Sequence, residues 1–310
     1  NYIIAKTQIV ELLDSGNNIL SNYTTIQACA NAVSAGRTCL VWPGTYNERV
    51  NTTKSGSLGN IITFKTAQKG SVIINGGFKI INTPYVKIEG FNITGAPNVY
   101  LDEGGVLVAS NFVTVYNNYF YDLHIAGVIG ALVTSIPLNT NVSNNKIYKS
   151  NSGLYIYSGS NWIVENNEIE RLYQWTNPLA RSWDNDYVDF YGIGHIFRNN
   201  YFHGSTFEET RLGGFDSHTD GFQSSPSSAT VENIIIENNI IEGFGQGILL
   251  NNNHPTELYI RNVTIRNNVI GKGYGASSLA TKAIGSEAGQ DIKIYNNVIF
   301  DTYDGISLTD

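Results

Sequence analysis

One pattern constrains this chain more than any other: an alternating apolar segment, a pair of asparagines, then a second apolar segment. It reads VTVYNNYF, NVSNNKIY, WIVENNEI, HIFRNNYF, IIIENNII, VTIRNNVI and IKIYNNVI, with the second asparagine at Asn118, Asn145, Asn167, Asn200, Asn239, Asn268 and Asn297. Successive copies are 27, 22, 33, 39, 29 and 29 residues apart. Strand-like alternation that returns every few tens of residues describes a solenoid of strands. The expected fold is all-β, a right-handed parallel β-helix. Asparagine suits its sharp corners, because it tolerates left-handed backbone and bonds neighbouring backbone groups. Stacked amides can also bond one another along the solenoid. These asparagines are read as architectural.

A second column follows each pair: a residue x, then glycine or a substitute, then an apolar residue. It falls at Ala126, Ser152, Asp186, Asp220, Gln246, Lys282 and Asp304. The apolar residue should point inward and the one after it outward. The whole chain, 1–310, is expected to form a single solenoid domain. Residues 1–23 read as an extended segment, 24–36 as a helix covering the first coil, and 37–310 as the coils. Thr24 or Thr25 would cap that helix and Gly36 would stop it.

Composition narrows the setting. The 310 residues are 42% hydrophobic and carry a net charge of -7. No run of Lys and Arg is present, which argues against a nucleic-acid partner. No apolar stretch reaches the length needed to span a bilayer. A chain that begins at Asn1 and contains no Met is expected to be processed, its signal peptide removed, and extracellular or surface-bound. Sequons at Asn22, Asn51, Asn92, Asn141 and Asn262 fit that setting as glycosylation sites. Cys29 and Cys39 would close a short disulfide loop there; otherwise they are two small buried hydrophobes.

The opening runs TIQACANAV, TCLVWPGTYNERV and GSLGNIITFKTAQKGSVIING resemble the first coils of parallel-β-helix polysaccharide lyases. The similarity is to the family-nine pectate lyases and the chondroitinase B and alginate lyase group, and it covers roughly residues 1–95. It implies the fold and an acidic-polysaccharide setting. No catalytic motif of those families is matched, so the resemblance assigns no residue.

Loop lengths locate a working face. From the second asparagine to x the distance is 8, 7, 19, 20, 7, 14 and 7 residues. Insertions are thus expected over 168–185 and 201–219, with a smaller one over 269–281. Long loops on a repeat scaffold mark function. After the two large insertions, Asp186 and Asp220 share one column, Asp184 and His218 another, and Asp189 and Gln223 a third, with Tyr155 one coil earlier. The insertions also supply Arg181, Trp183, Trp175 and Arg211. Like charges one coil apart imply a raised pKa or a cation between them, and oxygen ligands such as Asp184, Asp186 and Asp220 suit Ca²⁺.

The catalytic candidates are Asp186, Asp220, His218 and Arg211. Tyr155, Asp189, Gln223, Trp183 and Arg181 are the candidate substrate contacts. In a lyase the cation would neutralise a uronate carboxyl group while Arg211, His218 or Lys282 removed the C5 proton. In a hydrolase the carboxylates would act as an acid–base pair. The competing expectation is a non-catalytic, glycosylated surface or filament protein, self-associating through the N-terminal strand or the open C-terminal coil, unless that strand folds back along its own solenoid.

Overall fold

In the computed structural model the described residues are 8–95, 104–130, 136–175, 184–212, 218–226, 230–252, 259–274, 281–287 and 289–309. Parallel strands stack coil upon coil. One sheet is built from the strands that precede each Asn-Asn pair. Its register runs Val86↔Val113, Thr114↔Asn141, Asn141↔Ile163, Ile163↔Ile196, Ile196↔Ile235 and Ile235↔Thr264. A second sheet holds the strands that follow the pair and, beyond a bend, those that follow x.

The asparagines divide the corner between them. The first of each pair, from Asn117 to Asn296, takes a φ of 55–57°. The second is buried, except in the last coil, and forms a ladder. Asn145 Nδ2 donates to Asn167 Oδ1, Asn167 to Asn200, Asn200 to Asn239 and Asn239 to Asn268, each at 3.0 Å. Each amide therefore satisfies a buried backbone or side-chain group that the turn would leave unpaired.

Inside, apolar residues alternate with outward ones along the strands that flank each Asn-Asn pair, while the strands that follow x, short of the last coil, are buried on both faces. Beneath the second large insertion the core is aromatic: Phe222 packs 5.1 Å from Phe202 and 5.3 Å from Phe197. At Gly221 a side chain would meet the carbonyl oxygen of Gly247 at 2.2 Å, which explains the glycine in the x-Gly-apolar column. Tyr187 occupies that place in its own coil, stacks 5.1 Å from Phe202 and places its hydroxyl 2.6 Å from Ser205 Oγ.

At the N-terminus the strand Val10–Leu13 pairs antiparallel with Thr38–Val41 and, on its other edge, with Ile19–Tyr23. Over residues 10–23 the segment is thus a hairpin folded back onto its own solenoid, with Asp14 accepting from the backbone N–H groups of Gly16 and Asn18 to make the turn. The helix spans Ile26–Ala32, shorter than 24–36, with Thr25 as N-cap. Ile26, Cys29 and Ala30 are its buried residues. Cys29 and Cys39 form a disulfide, Cα to Cα 6.1 Å. The strands Glu168–Glu170, Tyr201–His203 and Val269–Gly271 take up the first residues of the three expected insertions, since every coil continues as a strand past Asn-Asn. A short helix, Phe207–Thr210, follows in the second. No described helix is long and apolar enough to cross a membrane.

Candidate carboxylate site on the outer face

Two outward columns run along the solenoid axis. One passes Leu107, Ile129, Tyr155, Asp189, Gln223 and Leu249. The other passes Ala126, Ser152, Asp186, Asp220, Gln246 and Lys282, tied by Ala126↔Ser152, Asp220↔Gln246 and Gln246↔Lys282. Gly153 N–H donates to Asp186 O, and Asp220 N–H to Asp186 Oδ1 at 3.0 Å, which joins the acidic pair to the column. Leu107, Ala126, Ile129 and Tyr155 form a second small apolar cluster, separate from the main core. The face therefore changes from apolar to acidic to amide-bearing along its length.

At the acidic step the polar groups are buried and largely unpartnered. Asp186 and Asp220 are 1% and 0% exposed. Asp186 Oδ2, Asp189 Oδ1 and Asn185 Oδ1 accept no hydrogen bond, and the two oxygens of Asp220 make none of good geometry, the backbone N–H of Gln246 being the group that lowers its carboxyl against the effect of burial. Tyr157 Oη nearby is also unpaired. Burial, then repulsion from Asp220, Asp189 and Asp184, holds the Asp186 carboxyl well above its usual range. Burial and the charges of Asp184 and Asp189 do the same to Asp220. Asp189 is pushed up to about 7, chiefly by burial and then by Asp184. Tyr155, Tyr157 and Tyr191 line the cluster, and burial raises each of them. Tyr155 stacks on Tyr157 at 5.3 Å and donates to Asp184 O at 3.3 Å.

The structure brings Tyr155, Asp184, Asp186, Asp189, Asp220 and Gln223 together, with His218 beside them: its N–H donates to Asp184 Oδ1 at 3.0 Å. Arg211 ends the short helix with its guanidinium 4.4 Å from the Phe207 ring and acts on Tyr274, which in turn feels Asp220. Lys282 stands two coils beyond Asp220, roughly 10 Å at the usual strand spacing, too far to share its chemistry. Trp175 stacks on His124 at 4.6 Å, with Lys149 over the same ring. Arg181 and Trp183 lie outside the described residues. Tyr157 and Tyr191 were not singled out from the sequence; the period-two alternation from Tyr155 and Asp189 was the signal that places them on this face.

Among the described residues, one group of three metal-ligating side chains converges within 4.8 Å: Glu168, Glu170 and His203. Lys146 already spans its two carboxylates, at 3.1 and 2.7 Å. Asp184, Asp186 and Asp220 are not such a group; Asp184 and Asp186 each turn one oxygen onto a backbone N–H of the next coil. Of the five sequon asparagines, Asn22, Asn51 and Asn262 are exposed, and Asn92 and Asn141 are half-buried within paired strands.

Comparison with solved structures finds the same fold in several proteins. An alginate lyase from Paenibacillus sp. str. FPU-7 superposes with a TM-score of 0.67 at 16% identity, over 92% of this chain and 96% of that one. The pectate lyase Pel9A gives 0.60 at 16% identity, over 94% and 77%. PfbA, a surface adhesin of Streptococcus pneumoniae, gives 0.54 at 13% identity, over 91% and 87%. No curated protein matches the sequence. The family model for the right-handed β-helix region matches residues 134–310, more than half of the chain, and the protein belongs to that family.

Proposed function

We propose that this is an extracellular carbohydrate-active protein that engages acidic polysaccharide along the outer face bearing Asp186, Asp189 and Asp220, and cleaves it by β-elimination with Ca²⁺ as helper. The carrying observation is the set of buried carboxylate oxygens without hydrogen-bond donors on adjacent coils. Hard oxygen donors that lack protein partners fit a hard cation. Asp186 and Asp220 would hold it, with Asp189 beside them. The missing third converging carboxylate is the place for a substrate carboxyl group. Bound Ca²⁺ supplies charge neutralisation of the uronate, which acidifies its C5–H. His218 would take that proton, C4=C5 would form as the C4–O bond breaks, and the departing O4 would be protonated by solvent water, leaving an unsaturated sugar and a new chain end. Tyr155 and Gln223 orient the ring, and Arg211 balances charge at the edge. The disulfide and the exposed sequons suit an oxidising compartment.

The near-complete burial of Asp186 and Asp220 favours a second reading, in which the face binds a surface glycan without cleaving it. Incubation with pectate and alginate in Ca²⁺ separates the two. A rise in ultraviolet absorbance from unsaturated product, lost in Asp220→Asn, supports the lyase. Binding without product supports the second reading, and neither binding nor product defeats both.

A further inference from the structure

We infer that Lys282 is a specificity-determining residue that reads the carboxylate of a sugar two units away from the one at Asp220. The inference rests on the acidic-polysaccharide reading above and extends it to a defined subsite. The register places Asp220, Gln246 and Lys282 at one position on three successive coils. The separation of Asp220 and Lys282 is therefore two coil heights, roughly 10 Å. An extended pyranose unit is about as long as a coil is high, so a chain lying along the axis presents successive sugars to successive coils.

The lysine is built into place. A methyl group on Gly285 would lie 3.4 Å from Leu249 Cδ1 and 3.5 Å from Lys282 Cδ. The bare backbone of Gly285 thus gives the Lys282 stem a flat bed beside Leu249, in the column that carries Asp189 and Gln223 on the coils before it. Among the described residues, the charged groups around the ammonium are Glu287, at 4.0 Å, and Asp304 on the next coil. The Glu287 contact is at the outer limit of an ion pair, and the lysine side chain stays 27% exposed. A cation held this loosely can exchange its partner for an incoming carboxylate. Between the acidic pair and the lysine, Gln246 and Leu249 offer an uncharged floor that suits a sugar ring. The face therefore reads charge with direction: a cation-bridged carboxylate at one end and a direct ammonium–carboxylate pair at the other.

Calorimetric titration with oligogalacturonides and oligoalginates of one to six sugars, in Ca²⁺, tests the assignment. Wild-type affinity should step up once the oligomer spans both coils, at about three sugars. Lys282→Gln should erase that step, a loss of roughly tenfold for a charged hydrogen bond. It should leave monomer and dimer binding and the melting temperature unchanged. Lys282→Arg should restore most of the step, and methyl-esterified oligomers should show none. If wild type shows the step and Lys282→Gln keeps it, the lysine assignment is wrong while the polysaccharide reading stands. If wild type binds no uronide of any length, the polysaccharide reading itself falls and the assignment with it.

Discussion

The backbone N–H of Asp220 donates to Asp186 Oδ1 at 3.0 Å, so each acidic coil is fastened to the next by the residue that carries the next carboxyl group. That bond orients Asp186 and leaves its second oxygen without a donor, while the oxygens of Asp220 make no hydrogen bond of good geometry. Groups of this kind are expensive to ionise in a buried site. The pair is therefore a store of unfavourable charge that a proton or a cation relieves.

Stability should fall as pH rises. Asp189 titrates near 7 in the fold against an ordinary 3.8, so the folded state holds the extra proton between those values. Its contribution is complete below about pH 4 and is lost as pH rises through 7, up to about 4 kcal/mol for a shift of this size. Asp186 and Asp220, both raised, add to the same slope. Thermal melts from pH 4 to 8 should show the decline, and Asp189→Asn should flatten it. A flat wild-type profile would contradict the buried-charge account.

Calcium should reverse that decline. Added at pH 8, it should raise the melting temperature of the wild type, by about 2.7 kcal/mol at a hundredfold excess over its dissociation constant. At pH 5, where protons occupy the carboxyl groups, the gain should be smaller. Asp186→Asn and Asp220→Asn should each abolish the gain and be more stable than wild type in metal-free buffer at pH 8. Equal stabilisation of the wild type and both variants would place the ion elsewhere.

His195 should oppose the carboxylates at low pH. Its Nδ1 accepts from Trp162 N–H at 3.1 Å while Nε2 faces Tyr191 O at 3.0 Å, an arrangement that requires the neutral ring. Burial brings it down to about 4. Its stabilisation is present above pH 6.5 and is lost as pH falls through 4. An NMR titration of the ring should show it neutral at pH 5.

The asparagine ladder should be unforgiving at its centre. Asn200 donates to Val164 O and Asn239 Oδ1, both at 3.0 Å, and accepts from Asn167. Asn200→Ala leaves several buried groups without partners and should cost about 3 kcal/mol or more by urea unfolding. A loss under about 1 kcal/mol would show that water replaces the amide.

Reduction should loosen the N-terminal end. The Cys29–Cys39 link closes a loop of 10 residues' separation, worth roughly 3 kcal/mol by chain entropy. The double Cys→Ser variant should melt lower, and its extra hydrogen exchange should be confined to residues 8–66.

The sequence by itself determined the solenoid, its corners and its columns. In a parallel stack each residue sits beside its counterpart one coil away, so the Asn-Asn column aligns Asn118 through Asn297 and the x-Gly-apolar column aligns Asp186 with Asp220 and Asp189 with Gln223. The N-terminal hairpin was not legible, because the turn at Asp14 depends on side-chain bonds to its own backbone. Only the tertiary structure decided the character of the acidic face. Burial of Asp186 and Asp220, the unpaired oxygens and the bed that Gly285 makes for Lys282 all depend on groups distant in sequence. Register is a property of the repeat, and the repeat is written in the chain. Solvation is a property of everything packed around a residue, and no single column of the sequence contains it.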